Sequence, residues 1–216
     1  MSAPSASGEA AAVDSRPALE ALVERLADEG FAMADDIVPA ELVSALAAEL
    51  EGHIAAGRLA VAGVGRDEAF RRDGEIRRAA IRWMDGGTEA EQRLLVLAEE
   101  LRLLINRRLF LGLFDFECNT IAYPVGGFYG RHLDRLHGAK NRVVSFVTYL
   151  DADWGEADGG ALRLWRSPDD QGEPAATVLP KAGRVVLMLS EEIPHEVLPA
   201  HRPRHAIAGW WRINGA

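Results

Sequence analysis

The chain has 216 residues, of which 48% are hydrophobic and 26% are charged, as in ordinary globular proteins. Its formal net charge of −9 argues against a nucleic-acid-binding protein, because phosphate recognition relies on clustered Lys and Arg. The single cysteine, Cys118, excludes an intrachain disulfide and fits a reducing, cytoplasmic compartment.

The first fifteen residues are rich in Ala, Ser and Gly and are predicted to form a disordered tail. They contain neither Lys nor Arg and no apolar segment, so we expect no signal peptide. No apolar run approaches the roughly 20 residues that cross a bilayer, so no membrane partner is expected. The remaining residues, 16–216, are predicted to form one domain, with helical support and a substrate loop in 16–113 and a β core in 114–212.

Three helices are predicted from apolar residues at helical spacing. The first ends at Gly30, and the second begins after Pro39 and ends at Gly57. Phe31–Val38, between them, has the apolar positions of a strand. The buried stripes are Leu19, Leu22, Val23 and Leu26 in the first helix, Leu42, Val43, Leu46, Leu50 and Ile54 in the second, and Leu94, Leu95, Ala98, Leu101, Leu104, Ile105 and Leu109 in the third.

Residues 58–87 differ in composition from their surroundings and are predicted to form a long loop leading into a short strand at Ile81–Met84. One interpretation is a solvated basic loop, and the other is a mobile lid that meets the substrate. The loop is marked by a group of arginines that includes Arg66, Arg71, Arg72, Arg77, Arg78 and Arg82.

After Phe114 the sequence changes to short strands separated by turn signals. About seven strands behind a helical first half predict an α+β protein built on a double-stranded β-helix, a distorted jelly roll. The predicted strands are ECNTIAY, RVVSFVTYL, ALRLW, ATVL, RVVLMLS, HEVLPA and HAIAGWWR.

Three side chains are candidate metal ligands. His132 and Asp134 lie two residues apart, so on an extended segment both point to the same face. A second strand supplies His195. Two neutral imidazoles and one carboxylate on one face leave other coordination positions open, which is the ligand set of non-haem ferrous oxygenases. An H-x-D pair alone is a weak signal, so the interpretation depends on the residues that accompany it.

Arg204, nine residues after His195, strengthens this interpretation. An arginine near the inner end of a barrel can bind a carboxylate through two parallel hydrogen bonds. A dicarboxylic keto acid would then chelate iron at one end and contact Arg204 at the other. Tyr149 is a candidate donor to the same carboxylate, and Tyr123 and Tyr129 are the other candidate hydroxyls of the pocket. Each tyrosine also fits a half-buried core position.

Four segments in this order resemble the prolyl 4-hydroxylase branch of the 2-oxoglutarate- and iron(II)-dependent oxygenases, and in particular the hypoxia-inducible-factor prolyl hydroxylases and their bacterial relatives. The resemblance covers residues 114–212 strongly. The segments are YPVGGFYGRHLD, NRVVSFVTYL, DADWGEADGGALRLW and PHEVLPAHRPRHAIAGWW.

The resemblance implies Fe(II), 2-oxoglutarate and dioxygen as cofactor and cosubstrates, with ascorbate as a candidate reductant. It implies that His132, Asp134 and His195 bind iron and are catalytic together with Arg204. Arg204, Tyr149 and Tyr123 would bind 2-oxoglutarate, the first two at its distal carboxylate. Tyr129, Arg77 and Arg142 would face the substrate, which is a proline in a protein or peptide. The candidate substrates include elongation factor Tu.

The sequence departs from the family at Ala79, where an acidic residue is expected two positions after Arg77. We therefore expect Arg142 to lack its usual ion-pair partner. The interval from Tyr123 to His132 is also one residue shorter than in the family.

Three alternatives are weighed against a prolyl hydroxylase. The first is a 2-oxoglutarate oxygenase that hydroxylates a small molecule or another side chain. The second is a nucleic-acid demethylase of the same superfamily, which is disfavoured by the acidic charge and by Trp210 where that branch carries a second arginine. The third is a non-enzymatic metal-binding jelly roll used as a sensor. The sequence does not specify the oligomeric state.

Overall fold

A computed structural model of the protein describes residues 16–62, 76–134 and 141–213. The predicted tail lies outside these residues, and so does part of the predicted basic loop, including Arg66, Arg71 and Arg72. None of the helices in the described ranges combines the length and apolarity that crossing a bilayer requires.

Helices dominate the described part of the N-terminal half, at the three predicted places. They are α1 (Arg16–Glu29), α2 (Ala40–Ala55) and α3 (Glu89–Leu109). Gly30, at φ 76°, ends α1 in the left-handed conformation that a glycine adopts without strain. Thr88 caps α3 by accepting a hydrogen bond from the backbone amide of Glu91.

The strands form two antiparallel sheets among the described residues, and both sheets are needed to build the site. The larger sheet has the order β1-β9-β6-β11-β4-β3-β2, and the smaller has the order β5-β10-β7-β8. The strands are β1 (Phe31–Ala34), β2 (Ala60–Val61), β3 (Ala80–Trp83), β4 (Asp115–Tyr123), β5 (Tyr129–His132), β6 (Arg142–Tyr149), β7 (Leu162–Leu164), β8 (Ala176–Val178), β9 (Val185–Leu189), β10 (His195–Val197) and β11 (Arg204–Arg212).

The two faces of the larger sheet bury different sets of side chains. One face packs against the helices in a cluster that includes Phe146, Ile207 and Trp211. The other face belongs to a second cluster that includes Tyr149 and Leu164, so it packs toward the smaller sheet. Alternate residues of a strand therefore serve either the helical layer or the inside of the β-helix. This arrangement confirms the predicted α+β fold with a double-stranded β-helix core.

Close packing on the helical face explains a glycine in the middle of β11. A Cβ atom added to Gly209 would lie 2.3 Å from Cζ of Phe116, which is closer than any real contact. Phe116 stacks in turn against Trp211, with ring centroids 4.8 Å apart. Gly209 thus allows the ring of Phe116 to lie directly on the backbone of the central strand.

Three local predictions needed correction. The strand predicted over Phe31–Val38 ends at Ala34, and Asp36 then adopts a left-handed φ of 59°, so the chain turns away from the sheet. Ile54 was assigned to the buried stripe of α2 but is 42% exposed, because the last turn of the helix extends beyond its packing partners. The strands β2 and β5 had not been predicted as separate elements.

Candidate metal centre

Two short strands of the smaller sheet bring the candidate ligands together. His132 is the last residue of β5, His195 is the first residue of β10, and the two are directly opposite in the antiparallel pairing. Asp134 follows two residues after His132. One ligand atom from each of the three side chains lies within 4.8 Å of the others, so the trio could hold a metal ion. The predicted convergence of His132, Asp134 and His195 is therefore present.

Backbone carbonyls orient both imidazoles. Nδ1 of His132 lies 2.8 Å from the carbonyl of Gly130, and Nδ1 of His195 lies 3.1 Å from the carbonyl of Ile193. Because a carbonyl only accepts hydrogen bonds, each Nδ1 carries the proton and donates it. Each Nε2 then keeps its lone pair and faces Asp134, at 3.5 Å for His132 and 3.6 Å for His195. This is the tautomer in which a histidine binds a metal through Nε2.

Burial and the neighbouring side chains set the protonation states of His195 and Asp134. Desolvation, with a smaller contribution from His132, lowers the pKa of His195 to about 4. Burial alone would raise the pKa of Asp134, but the adjacent His195 and His132 outweigh it and hold the pKa below its ordinary value. At neutral pH the site thus offers a neutral imidazole at His195 and an ionised carboxylate, which are the forms that bind a metal.

A stack of side chains leads from the metal centre toward the surface. The ring of Tyr129 lies on the imidazole of His132, with centroids 3.5 Å apart and an interplanar angle of 20°. The guanidinium of Arg77 lies 4.6 Å from the centre of the Tyr129 ring. Burial raises the pKa of Tyr129 to about 12, so its hydroxyl stays protonated. The predicted substrate residues Tyr129 and Arg77 therefore contact one another next to a candidate ligand.

Arg204 occupies the inner end of the pocket and is only 1% exposed. Its guanidinium carbon lies 5.0 Å from the ring centre of Tyr123 and 5.1 Å from that of Tyr149. Nε of Arg204 and the hydroxyl of Tyr149 are buried and make no hydrogen bond within the described residues. Buried polar atoms normally have partners, so these two fit a pocket that receives a polar ligand. The sequence-predicted set Arg204, Tyr149 and Tyr123 is thus brought together.

The loop before β7 packs tightly on Arg204. Gly160, at φ 66°, lies so close that an added Cβ would meet Cδ of Arg204 at 2.9 Å and Cβ of Ala200 at 3.1 Å. The indole of Trp154 closes the same corner and donates a hydrogen bond to the carbonyl of Gly159 at 2.9 Å. The DADWGEADGG segment therefore holds the arginine side chain in one position.

Arg142 forms an ion pair with Glu117, in place of the acidic partner that is missing at Ala79. Nε of Arg142 donates to Oε1 of Glu117 at 2.8 Å, and Nη2 of Arg142 lies 2.6 Å from the same oxygen. The guanidinium also lies 3.7 Å from the ring centre of Trp210. Glu117 is on β4 and Arg142 on β6, with β11 between them, so the long side chain reaches across the intervening strand.

Sequence reasoning did not identify two further residues that contact the candidate ligands. Oγ of Ser145 donates to Oδ2 of Asp134 at 2.8 Å, and it lies 2.8 Å from Oγ of Ser190. A signal for Ser145 was available, because it is four residues before Tyr149 on the same strand and so shares its inward face. No comparable feature of the sequence pointed to Ser190, because it lies just after β9 and outside the alternation of the strand.

Comparison with known proteins agrees with this geometry. Residues 118–212 match the 2OG-Fe(II) oxygenase superfamily. The solved structure of a Pseudomonas putida prolyl-4-hydroxylase is 44% identical in sequence, superposes with a TM-score of 0.80, and aligns over 91% of this chain and 100% of that chain. The protein therefore belongs to the 2OG-Fe(II) oxygenase superfamily.

Within that superfamily the similarity is to prolyl hydroxylases, which confirms the predicted branch. Human Egl nine homolog 1 is 33% identical over 147 residues, which are 63% of this chain and 33% of the human protein. A Trichoplax adhaerens prolyl hydroxylase, solved with a peptide fragment of the hypoxia-inducible factor oxygen degradation domain, shares the fold at 23% identity and a TM-score of 0.81. That alignment covers 94% of each chain. The chain matches about a third of the human relative's length.

Proposed function

We propose that the protein is an Fe(II)- and 2-oxoglutarate-dependent prolyl 4-hydroxylase that acts on a proline in a protein or peptide segment. The observation that carries the proposal is the position of the His132, Asp134 and His195 cluster in one β-helix with a buried, incompletely hydrogen-bonded Arg204. A metal cluster alone would fit a sensor module. The additional arginine fits a site that also binds a dicarboxylate.

The ligands of the iron would be Nε2 of His132, Nε2 of His195 and a carboxylate oxygen of Asp134. Their donor atoms are a neutral nitrogen pair and an anionic oxygen, which suit Fe(II) and leave coordination positions for other groups. When bound, the iron and 2-oxoglutarate supply dioxygen activation, with succinate and carbon dioxide as the products from the cosubstrate. The protein's own contribution is orientation, charge and exclusion of water.

The distal carboxylate of 2-oxoglutarate would be bound by Arg204, with the hydroxyl of Tyr149 as a second donor. Burial raises the pKa of Tyr149 to about 12, so the phenol keeps its proton and acts as a donor at neutral pH. Tyr123, whose ring centre lies 5.0 Å from the guanidinium carbon of Arg204, would lie next to the chelating end. Ala206 and Ala208, the small residues that follow Arg204 on the same face of β11, leave room for the cosubstrate.

The substrate would bind at the outer end of the stack, over Tyr129, Arg77 and Arg142. Nε of Arg77 is buried without a hydrogen-bond partner among the described residues, so it is available to a carbonyl or an acidic side chain of the target. We propose a segment of another protein rather than a small molecule, because Tyr129 and Arg77 extend the site beyond the metal ligands. The Trichoplax protein's complex with a peptide fragment supports a peptide substrate.

Elongation factor Tu is the target we propose, on the likeness to bacterial members of the family. Ascorbate as a reductant and a cytoplasmic location are further parts of the proposal. They derive from the sequence resemblance and from the single, buried Cys118.

An anaerobic titration tests the proposed function. Adding Fe(II) and 2-oxoglutarate to the purified chain is expected to produce the visible charge-transfer band of the chelate. Arg204→Ala is expected to weaken 2-oxoglutarate binding by at least about 30-fold, because truncating one partner of a buried, hydrogen-bonded charge pair costs about 2 kcal/mol or more. The control is Arg93→Ala, which removes the same charge from an exposed position on α3.

Turnover under air then tests the substrate. Peptides from elongation factor Tu and unrelated proline-containing peptides are incubated with enzyme, Fe(II), 2-oxoglutarate and ascorbate and analysed by mass spectrometry. Gain of one oxygen atom on a proline, matched by succinate release, supports the proposal. Succinate release that is stimulated by a small molecule and by none of the peptides would contradict it.

A further inference from the structure

Two buried serines connect the candidate carboxylate ligand to the larger sheet. Oγ of Ser145, on β6, lies 2.8 Å from Oδ2 of Asp134 and 2.8 Å from Oγ of Ser190. Ser145 is 1% exposed and Ser190 is 0% exposed. The three oxygen-bearing side chains therefore form a continuous hydrogen-bonded chain, in which the two serines are buried and the side chain of Asp134 is 12% exposed.

The number of hydroxyl protons fixes which group donates and which accepts in each of these two hydrogen bonds. An ionised carboxylate only accepts hydrogen bonds, so Ser145 must use its single hydroxyl proton to donate to Asp134. The hydroxyl of Ser190 must then donate to Oγ of Ser145. Each link polarises the next, so the bond to the carboxylate is stronger than a serine alone would provide.

The backbone of Ser190 restrains the same aspartate. The carbonyl of Ser190 accepts a hydrogen bond from the amide of Asp134 at 3.1 Å, and the amide of Ser190 donates to the carbonyl of Val143 at 3.0 Å. Asp134 lies beyond the end of β5, so the strand pairing of β5 with β10 does not hold it. Ser190 and Ser145 therefore hold the only non-strand ligand against β6.

We propose that Ser190 and Ser145 are positioning residues that fix the carboxylate of Asp134 as a single-oxygen metal ligand. This inference rests on the proposed function. Oδ2 lies 3.6 Å from Nε2 of His195 but shares its lone pairs with the hydrogen bond from Ser145, whereas Oδ1 lies 3.5 Å from Nε2 of His132 and receives no hydrogen bond from Ser145. Oδ1 is therefore the oxygen that we assign to the metal position. A carboxylate that binds through one oxygen leaves an additional coordination position for the keto acid or dioxygen.

The test measures metal binding by the resting protein rather than turnover. Ser145→Ala is expected to weaken Mn(II) binding, followed by electron paramagnetic resonance, by about 10-fold or more, as is usual when a hydrogen bond to a ligand is removed. Ser145→Thr keeps the hydroxyl and is expected to stay within about 3-fold of the wild type. The visible bands of bound Co(II), which depend on coordination number, are expected to change in Ser145→Ala and not in Ser145→Thr.

A double-mutant cycle tests whether Ser190 acts through Ser145. Ser190→Ala alone is expected to weaken Mn(II) binding by less than Ser145→Ala does. The double variant is expected to equal Ser145→Ala, because Ser190 has no side-chain route to the carboxylate once Ser145 is removed. If the losses of Mn(II) affinity in the two single variants add in the double variant, Ser190 does not act through Ser145.

Thr148→Val provides the matched control. Thr148 is a fully buried hydroxyl on the same strand, and it lies three residues from Ser145, on the opposite face. Its replacement is expected to leave Mn(II) affinity unchanged. If wild-type protein binds Mn(II) and Ser145→Ala binds it equally well, the positioning role is wrong while the proposed function stands. If the wild type binds neither Mn(II) nor Fe(II) with 2-oxoglutarate, the proposed function itself fails.

Discussion

The guanidinium of Arg204 lies 5.1 Å from the ring centre of Tyr149, and each residue carries a buried polar atom without a hydrogen-bond partner in the described part of the chain. An unsatisfied buried polar group costs about 1–3 kcal/mol. Two such groups side by side, one of them on a cationic side chain, fit the proposed binding site for an anion.

The first prediction concerns the hydroxyl of Tyr149. Tyr149→Phe removes a donor from the proposed carboxylate site and leaves the ring in place. We expect 2-oxoglutarate affinity to fall about 5- to 10-fold, corresponding to a hydrogen bond worth about 1–1.5 kcal/mol. The titration of the chelate band at fixed Fe(II) measures this. Mn(II) affinity without 2-oxoglutarate is the internal control and should not change. Unchanged 2-oxoglutarate affinity would remove Tyr149 from the site.

The second prediction concerns Arg142 and Glu117. If Arg142 faces the substrate, Arg142→Ala should raise the KM for a peptide by about 5-fold or more while 2-oxoglutarate and Mn(II) binding stay unchanged. Glu117→Gln should act in the same direction with a smaller effect, because Arg142 keeps its contact with the Trp210 ring at 3.7 Å. Steady-state kinetics with a hydroxylated peptide measures both. A variant that loses cosubstrate binding instead would assign Arg142 to the metal pocket.

The spacing of residues predicted that the candidate metal ligands converge, but it did not predict β5, the strand that carries His132. Because His132 and Asp134 are two residues apart, their side chains were expected on the same face. In the structure, the pairing of β5 with β10 places His195 opposite His132. Arg204 was predicted because it lies nine residues after His195 and because a dicarboxylic cosubstrate needs a cationic partner. Local periodicity is sufficient for His195 and Arg204 because each lies on or next to a strand that the sequence predicts.

The ion pair of Arg142 could not be predicted in the same way. Its partner Glu117 is 25 positions earlier in the sequence and two strands away in the sheet. A sequence gives the direction of each side chain from its strand, but the order of strands depends on the whole fold. The contact of Ser190 with Ser145 belongs to the same category, since it joins a turn to a neighbouring strand.

The third prediction concerns Gly160. Gly160→Ala would place a Cβ atom 2.9 Å from Cδ of Arg204 and would also strain a residue at φ 66°. We expect the arginine to shift and 2-oxoglutarate affinity to fall by about 10-fold, with retained Mn(II) binding showing that the fold survives. Backbone strain alone is expected to lower the free energy of unfolding by about 1–2 kcal/mol.

Gly155→Ala is the control for that experiment. Gly155 lies in the same segment, has an extended backbone with φ −112°, and an added Cβ would meet Oδ2 of Asp158 only at 3.9 Å. Its replacement should leave both affinities unchanged. Equal losses in the two variants would attribute the effect to the loop in general rather than to contact with Arg204.

The fourth prediction concerns Glu91, which joins α3 to the turn after β3. Its carboxylate is 2% exposed and accepts hydrogen bonds from Arg82 at 2.6 Å, from the amide of Gly86 at 2.9 Å and from the amide of Gly87 at 3.2 Å. The turn that it closes follows Trp83, whose ring lies 6.1 Å from that of Trp210 at the proposed substrate opening. Glu91 thus connects the helical layer to the edge of the site.

Glu91→Ala would remove the acceptor shared by the guanidinium of Arg82 and three turn amides, of which only that of Gly87 also donates to Asp85. Breaking a buried ion pair in this way costs about 3–5 kcal/mol, so we expect a loss of that size in the free energy of unfolding measured with urea. Glu89→Ala, in the exposed first turn of the same helix, should change the free energy by less than about 1 kcal/mol. Similar urea midpoints for the two variants would show that Arg82 and the turn amides find water instead, and that the carboxylate does not hold the turn.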